Sequence, residues 1–379
     1  VRIPFDWPAV ETDVRQWSAF RAFAPRLWRK TRVRRDTVGF PEVGYGPWHR
    51  RLRAAALAIH RDNPVDLVVA TANPNVDFAA ADELHRVAGV PYVMDYRDAW
   101  MLDVFDGDLL HPEGGRVAKL ERRLLTGARE VWFVNEPIRT WHQARYPALA
   151  DRMHVVSNGF DPHFAPLPRL EPAAPTRPLT FGYIGTVSGK VPLPEFAAGW
   201  RLAVERTEML RGARAEIHGY LGFYAAPTPK LLQAVQQHAD VNLSYEGPVP
   251  KPEVRAIYER FDALLLILGA GRYVTSGKVF EYAASALPIV SVHDPVNAAS
   301  DVLRGYPLWF PVADLSPEAI ADAVEQAAKA ALTADSDVRE RCREFALQFD
   351  RELQLAPRIE SLARSVSSGR LAPDPAGTP

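Results

Sequence analysis

The chain has 379 residues, of which 47% are hydrophobic and 24% charged, and its formal net charge is −1. This length predicts more than one domain of an ordinary globular protein, and a charge near zero excludes a global field that attracts nucleic acid. The single cysteine, Cys342, excludes an intrachain disulfide. Because neither a signal peptide nor an apolar run of 18 residues is evident, we expect a cytoplasmic protein, with membrane association as the alternative.

The first 50 residues combine basic and aromatic side chains. Ten Lys or Arg residues stand against five acids, with Trp17, Phe20, Phe23, Leu27 and Trp28 interleaved. Basic amphipathic segments bind anionic membranes, so residues 15–35 are a candidate for weak peripheral membrane contact. A solvated basic face over an apolar core is the alternative. Residues 1–47 offer no apolar opening strand and no glycine-rich turn, with which a nucleotide-binding α/β domain usually begins.

Strand and helix patterns then alternate, which predicts an α/β fold with parallel sheets. The predicted strands of the first half are 65–70, 91–95, 130–134 and 153–156, and 77–87 is a predicted helix. Asp95, Arg97 and Asp98 stand at the end of the second strand. They are candidates for acceptor binding or catalysis, and a structural Arg–carboxylate pair is the alternative.

A proline-rich segment separates the two halves. Residues 162–178 contain six prolines and no periodicity, so we predict an N-terminal domain over 1–165, a linker over 166–178 and a second α/β domain over 179–335. The predicted strands of this domain are 179–184, 215–219, 241–245, 263–267 and 289–292, and its predicted helices include 251–261 and 317–332. Residues 336–366 are predicted to be helical, and the tail 367–379 to be disordered.

Two loops of the second domain have features of a phosphate site. Small and basic residues occupy both: Gly185, Thr186 and Lys190 in the first, Ser276, Gly277 and Lys278 in the second. The second loop leads into a helix, whose free N–H groups and positive dipole end suit a phosphate. Glu281, one turn further on, can accept hydrogen bonds from both ribose hydroxyls. Neither loop has Walker A or GxGxxG spacing, so ordinary loop–helix turns are the alternative.

In order and spacing, these segments resemble the GT-B glycosyltransferases, and family 4 in particular. The resemblance covers about residues 65–330. Four segments carry it: 74–100 with Asp95-Tyr-Arg-Asp-Ala-Trp100, 155–161 with Asn158-Gly-Phe-Asp161, the loop 181–190, and 246–254 followed by 278–288.

The resemblance implies two Rossmann-like domains facing across a cleft, with 336–366 crossing back to the N-terminal domain. That domain would bind the acceptor, which is a glycan, a lipid-linked molecule or a small molecule, and the C-terminal domain a nucleoside-diphosphate sugar. The implied donor contacts are Gly185, Thr186 and Lys190 to the diphosphate, Ser276, Gly277, Lys278 and Val279 to the phosphates, Gly247, Pro248 and Val249 to the base, and Glu281 to the ribose. Asp95, Arg97, Asp98 and Lys190 are the catalytic candidates. The implied reaction retains configuration and needs no metal, cofactor or protein nucleophile.

The chain departs from the family pattern at three places. Tyr273 stands where many members have the first of two glutamates, Thr186 where many have an arginine, and Phe78 or Asp77 where the subgroup often has a histidine. Two alternatives therefore stay open, namely a non-catalytic relative that binds a nucleotide or a partner protein, and a sugar-nucleotide epimerase. The histidines lack metal-ligand spacing and no nucleic-acid module is visible, so neither a metal nor a nucleic acid is predicted.

Overall fold

The structure, a computed structural model, describes residues 1–5, 17–174, 176–222, 226–269 and 271–367. Contacts divide the chain into two compact units: unit 1 comprises Val1–Val156 and the segment from Arg358 onward, and unit 2 comprises Ser157–Pro357. Two predictions lie outside the described residues, the basic Arg15 before Trp17 and the tail after Ser367. No helix in the described ranges is both long and apolar enough to cross a membrane.

Unit 1 contains a parallel sheet in the order β1-β2-β3-β4. Its strands are β1 (Val68–Ala72), β2 (Tyr92–Tyr96), β3 (Glu130–Phe133) and β4 (Met153–Val155). Each predicted strand of the first half is present with shifted ends, and β1 begins three residues later than predicted. Among the described residues before Val68 there is no strand.

The helices of unit 1 begin and end at recognisable local signals. They are α1 (Ala19–Phe23), α2 (Pro25–Asp36), α3 (His49–Asp62), α4 (Phe78–Ala88), α5 (Arg116–Gly127) and α6 (Glu136–Arg145). The side chain of Asn135 caps α6 by accepting a hydrogen bond from the N–H of Ile138. α4 ends at Gly89, whose φ of 69° lies in the left-handed region that glycine adopts at little cost.

Unit 2 contains a parallel sheet in the order β10-β9-β8-β5-β6-β7. Its strands are β5 (Thr180–Ile184), β6 (Arg214–His218), β7 (Leu243–Gly247), β8 (Ala263–Ile267), β9 (Ile289–Val292) and β10 (Trp309–Pro311). Its helices are α7 (Leu193–Arg206), α8 (Pro229–Gln236), α9 (Val254–Tyr258), α10 (Lys278–Ala284), α11 (Ala298–Leu303), α12 (Pro317–Thr333) and α13 (Ser336–Leu347). α14 (Arg351–Ser367) carries the chain from unit 2 into unit 1.

The central strand β8 separates two apolar cores. Ala263, Leu265 and Ile267 belong to the cluster that contains Trp200, whereas Leu264 and Leu266 belong to the cluster on the other face of the sheet. Side chains alternate between the faces of a strand, so a strand buried on both faces is apolar throughout. This pattern places helices on both faces of the sheet and leaves its carboxyl edge for a ligand.

The proline-rich segment that was predicted as a linker packs on unit 2. Asp262 is almost fully buried and accepts hydrogen bonds from Arg169 at 2.7 Å, from Arg177 at 2.6 Å and from the N–H of Thr180 at 2.9 Å. The backbone N–H of Ala173 also donates to the carbonyl of Ala331. The described residues of this segment, 166–174 and 176–178, are therefore held at several points.

Several elements of unit 2 differ from the sequence-based prediction. The helix predicted over 251–261 ends at Tyr258 and begins with a 3₁₀ turn, Lys251–Glu253. The helical region 336–366 is interrupted after Leu347, and the side chain of Asp350 then accepts from the N–H of Glu352 to start α14. β10 was not predicted, because a strand of three residues has too short a pattern.

Candidate functional site

The strand order of the larger sheet reverses at β5, which has β6 on one side and β8 on the other. In open parallel sheets, ligands bind outside the carboxyl ends of the strands at such a reversal. The loops that follow β5 and β8 meet there, since a Cβ atom added to Gly269 would lie 3.0 Å from the carbonyl oxygen of Lys190. The structure thus brings the loop 185–190 to the loop that leads into α10.

Gly185 of the first loop lies next to Lys278, the first residue of α10. Gly185 has a φ of 146°, and a Cβ atom at this position would lie 2.0 Å from Cε and 2.8 Å from Nζ of Lys278. The ammonium group donates a hydrogen bond to the hydroxyl of Tyr183 at 3.1 Å and lies 4.8 Å from the centre of that ring. Only glycine allows the lysine to reach this position.

The surroundings of Lys278 change its protonation. Burial lowers the pKa of Lys278 to about 8, and the charge of Glu281 opposes this shift. Burial also raises the pKa of Tyr183, which keeps its hydroxyl protonated, and this hydroxyl donates to the carbonyl of Thr186 at 2.9 Å. The lysine side chain keeps some solvent exposure. Because burial disfavours its charged ammonium group, the site favours an anionic ligand beside that group.

Glycines with positive φ stand at the carboxyl ends of β5, β6 and β7. They are Gly185, Gly219 and Gly247, with φ of 146°, 116° and 83°. The N–H of Gly185 donates to the carbonyl of His218, and the N–H of Gly219 donates to the carbonyl of Gly247. A Cβ atom on Gly219 would lie 2.1 Å from the carbonyl oxygen of Gly185. Gly219 was not predicted as a site residue, because the sequence pattern placed it within the predicted strand 215–219.

The start of α10 brings the second loop and Glu281 together. Ser276 and Gly277 precede the helix, whereas the N–H of Val279 donates to the carbonyl of Ser276 and its side chain is buried. Val279 is therefore less suited to hold a phosphate than its neighbours. Glu281 accepts a hydrogen bond from the hydroxyl of Tyr258 at 3.3 Å. Burial raises the pKa of Glu281, which the Tyr258 hydrogen bond and nearby positive charges partly offset.

The exposed residues of the first loop are accessible to a ligand. Thr186, Gly189 and Lys190 are exposed, and the N–H of Val187 fixes the loop by donating to the carbonyl of Tyr220. Val249 follows Gly247 at the end of β7, two strands from β5. The predicted donor residues thus all lie at or beyond the carboxyl ends of the strands of one sheet.

His293 follows β9 at the same edge of the sheet and was not predicted as a site residue. Its Nδ1 contacts the carbonyl of Asp294 at 3.0 Å, and its buried Nε2 has no hydrogen-bond partner among the described residues. Burial lowers the pKa of His293, which favours the neutral ring. The adjoining Asn297 donates to the carbonyl of Gly269 at 3.0 Å, so this segment contacts the loop that leads into α10.

In unit 1, the candidate residues at the end of β2 form an Arg–carboxylate pair. Asp95 is buried and accepts from Nε and Nη2 of Arg97 at 2.9 and 2.6 Å, and from Thr71 at 3.2 Å. Its second oxygen, Oδ1, is buried without a hydrogen-bond partner among the described residues. Burial raises the pKa of Asp95, and Arg97 opposes this shift. Asp98 is exposed and accepts from Asn73 at 3.4 Å.

Two carboxylates, Glu42 and Asp77, lie near the start of α4, and this pair was not predicted. Glu42 accepts from the N–H groups of Asn75 at 2.9 Å and Val76 at 2.7 Å. Burial, and then the charge of Glu42, raise the pKa of Asp77 to about 6. Asp77 therefore carries a group that can exchange protons near neutral pH. In the described ranges, no three His, Cys, Asp or Glu residues form a group that could hold a metal ion.

Comparisons with known proteins identify the architecture. No family model matches the chain, and no curated protein matches it significantly. Solved structures do match, with identities that bear on the fold alone. A glycosyltransferase from Rickettsia africae ESF-5 has a TM-score of 0.62 at 13% identity and covers 84% of this chain and 81% of its own. Sucrose-phosphate synthase from Thermosynechococcus elongatus has a TM-score of 0.60 at 12% identity, covering 88% and 82%.

A third similar structure is Anabaena Alr3699/HepE in complex with UDP-glucose, with a TM-score of 0.55, 14% identity and coverage of 83% and 82%. The chain has the GT-B fold. The predicted α/β class is confirmed, with one parallel sheet in each unit, while membership of family 4 stays a prediction.

Proposed function

We propose that the chain is a glycosyltransferase that moves a sugar from a nucleoside-diphosphate sugar to an acceptor. The observation that carries this proposal is the contact between Gly185 and Lys278 at the strand reversal of unit 2. The backbone of Gly185, which carries no side chain, and the half-buried side chain of Lys278 come together there. Lys278 lies one helical turn before Glu281. Several proteins with this fold are named as glycosyltransferases, and one is described in complex with UDP-glucose, which supports the same ligand class here.

The donor assignment follows the chemistry of each residue. Gly185, Thr186, Lys190, Ser276, Gly277 and Lys278 would hold the diphosphate, Glu281 the ribose, and Gly247 and Val249 the base. Breaking the anomeric bond adds negative charge to the departing diphosphate. A fixed ammonium group stabilises that charge without reorganising at the moment of reaction. The proposal includes retention of configuration and no metal, with the diphosphate itself accepting the proton of the acceptor.

The acceptor side of the proposal rests on unit 1. The buried Asp95 pairs with the half-buried Arg97 beside the exposed Asp98, and Asp77 adds a carboxyl group with a raised pKa. An Arg–carboxylate pair with a buried member is more fixed than a mobile pair on the surface, so it orients a polar ligand better. We assign these side chains to acceptor binding rather than to covalent catalysis.

Peripheral membrane contact through α1 and α2 is part of the proposal. Phe23 is 91% exposed, and Phe20 and Leu27 are also exposed. Basic side chains on α2 line a surface groove together with Val33: Arg26, Arg29, Lys30 and Arg34. Replacing Phe20 and Phe23 with serine should weaken sedimentation with anionic vesicles. The same change at the exposed Leu353 and Ile359 should not.

Donor binding can be tested with two variants and a matched control. We expect UDP, GDP or ADP, alone or with a sugar, to raise the melting temperature of the parent and of Lys329→Met, an exposed lysine on α12. Lys278→Met should lose this shift. The parent should bind a ribonucleotide at least about tenfold more tightly than its 2′-deoxy analogue, and Glu281→Gln should reduce that preference. Equal shifts in all variants would contradict the donor assignment.

Turnover separates the proposal from its alternatives. With the nucleotide identified, NMR of a donor and acceptor mixture should show a glycoside with the configuration of the donor. Interconversion of the donor without consumption of the acceptor would indicate an epimerase. Tyr273, which replaces a glutamate of the family pattern, favours a binding protein as the second candidate, and donor binding without any turnover would support it.

A further inference from the structure

Unit 1 contains a basic cavity that the proposed donor and acceptor contacts do not use. Its volume is about 380 Å³, and residues of the loop 39–41 and of α3, α4 and α5 line it. Among the described residues, the basic side chains that line it are Arg53, Arg86, Arg116, Lys119 and Arg123. Cations repel one another unless an anion lies between them, so their convergence needs an explanation.

Two carboxylates neutralise only part of this charge. Asp82 is 4% exposed and accepts from Arg123 at 3.0 Å, with Arg53 4.0 Å away. Glu83 lies 3.6 Å from Arg53 and 3.9 Å from Arg86. These two acids therefore interact with three of the five cations, namely Arg53, Arg86 and Arg123. The cavity keeps an excess of positive charge.

The remaining cations have no acidic partner among the described residues. Arg116 donates to the neutral carbonyl of Val38 at 2.8 Å, and Lys119 forms no ion pair with a residue that the structure describes. Within Arg53, the buried Nε lies 3.6 Å from Glu83, beyond hydrogen-bond distance, and has no hydrogen-bond partner in the described structure. Buried N–H groups without a hydrogen bond are rare, so this Nε is an unsatisfied donor at the cavity.

The loop side of the cavity is closely packed. Phe40 is 1% exposed and stacks on Trp100, with ring centres 5.2 Å apart and an interplanar angle of 7°. A Cβ atom on Gly39 would lie 2.0 Å from the ring of His49, which itself contacts the carbonyl of Gly46 at 2.7 Å. A wall fixed in this way does not have to be ordered when a ligand binds.

We propose that this cavity binds a phosphate-bearing ligand, either a phosphate monoester or a diphosphate. Guanidinium groups match phosphate oxygens with two parallel hydrogen bonds, and Lys119 adds a point charge. The apolar surfaces of Phe40, Pro41 and Leu120 suit the organic part that carries the phosphate. A lipid headgroup and a soluble sugar phosphate share this chemistry. The proposal does not depend on the function proposed for unit 2.

The test compares two neutralised variants by calorimetry with inorganic pyrophosphate at low salt. Arg86→Gln combined with Lys119→Gln removes two exposed charges of the cavity, while Lys230→Gln combined with Lys329→Gln removes two exposed charges of unit 2. Lys278→Met reports separately on the site in unit 2. We expect a binding event that the cavity variant weakens by about tenfold or more and that Lys278→Met and the control leave unchanged.

Binding to vesicles identifies the source of the phosphate. If the cavity variant also weakens binding to phosphatidylglycerol vesicles relative to the control, the ligand is a lipid headgroup, and if only pyrophosphate binding weakens, it is soluble. Circular dichroism melting curves should be the same for all variants. If the cavity variant binds both pyrophosphate and vesicles as tightly as the control, the proposal is wrong.

Discussion

Replacing Gly185 with alanine should disrupt the candidate site through two separable effects. The φ of 146° is a conformation that alanine adopts only with strain of about 1–3 kcal/mol. The new Cβ atom would also lie 2.0 Å from Cε of Lys278 and push this flexible side chain away. Loss of its hydrogen bond to Tyr183 costs about 1 kcal/mol, and loss of its contact with the ring about 0.5–1 kcal/mol.

The two effects can be separated with a double-mutant cycle. In the background of Lys278→Ala, Gly185→Ala retains the backbone strain but no longer displaces a lysine. The coupling between the two changes should therefore be about 1–2 kcal/mol. Gly189→Ala is the matched control in the same loop, because its Cβ atom would have no atom within 4 Å.

Urea unfolding followed by tryptophan fluorescence measures these changes in the free energy of unfolding, since Trp200 is fully buried in unit 2. Calorimetry with the identified nucleotide should show that Gly185→Ala binds it at least about tenfold more weakly. The reasoning is refuted if the coupling is zero, or if Gly189→Ala is as destabilising as Gly185→Ala.

Three further predictions concern charged groups. The pKa of Lys278 is about 8 in the folded chain, whereas its ordinary value is 10.5. Between these two pH values the unfolded state binds more protons than the folded state, so the free energy of unfolding should rise with pH. Nucleotide affinity should fall over the same range, because Lys278 loses its positive charge. Lys278→Met should flatten both trends in urea unfolding and calorimetry at about pH 7 to 10. Asp262→Asn should lower the free energy of unfolding by about 1–3 kcal/mol, because two partly exposed arginines lose their charged, buried hydrogen-bond partner, whereas Asp240→Asn at an exposed pair should change it little. Glu42→Gln should lower the pKa of Asp77 below about 6, which a carbon-13 NMR titration would detect, and an unchanged value would show that Glu42 does not act on it.

Much of the fold could be predicted because its strands and helices carry strong local patterns. β8 was predicted with both ends correct, since five apolar residues are buried on both faces of the sheet. α12 was predicted from its amphipathic pattern, and Ser316 caps it by accepting from the N–H of Ala319. The interruption after Leu347 was not predicted, because helical periodicity continues through the turn at Asp350 that separates α13 from α14.

Within unit 2, sequence spacing could indicate which loops carry small and basic residues but not how closely they approach. Gly185 and Lys278 are far apart in sequence, and the contact between them exists only because β5 and β8 are neighbours in the sheet. Gly219 was missed for the same reason. Its need to be glycine comes from the carbonyl of Gly185 on the next strand, and no local pattern reports that distance.

The departure from the family pattern at Phe78 or Asp77 shows how the fold changes the meaning of a residue. An aspartate has an ordinary pKa near 4, so the sequence alone indicates no group for proton exchange near neutral pH at this place in the chain. Glu42 binds the N–H groups of Asn75 and Val76, which holds its charge close to the half-buried Asp77. With a pKa of about 6, Asp77 titrates in the range of a histidine. A carboxyl group that the fold places beside another carboxylate can therefore titrate in a range that its residue type alone does not predict.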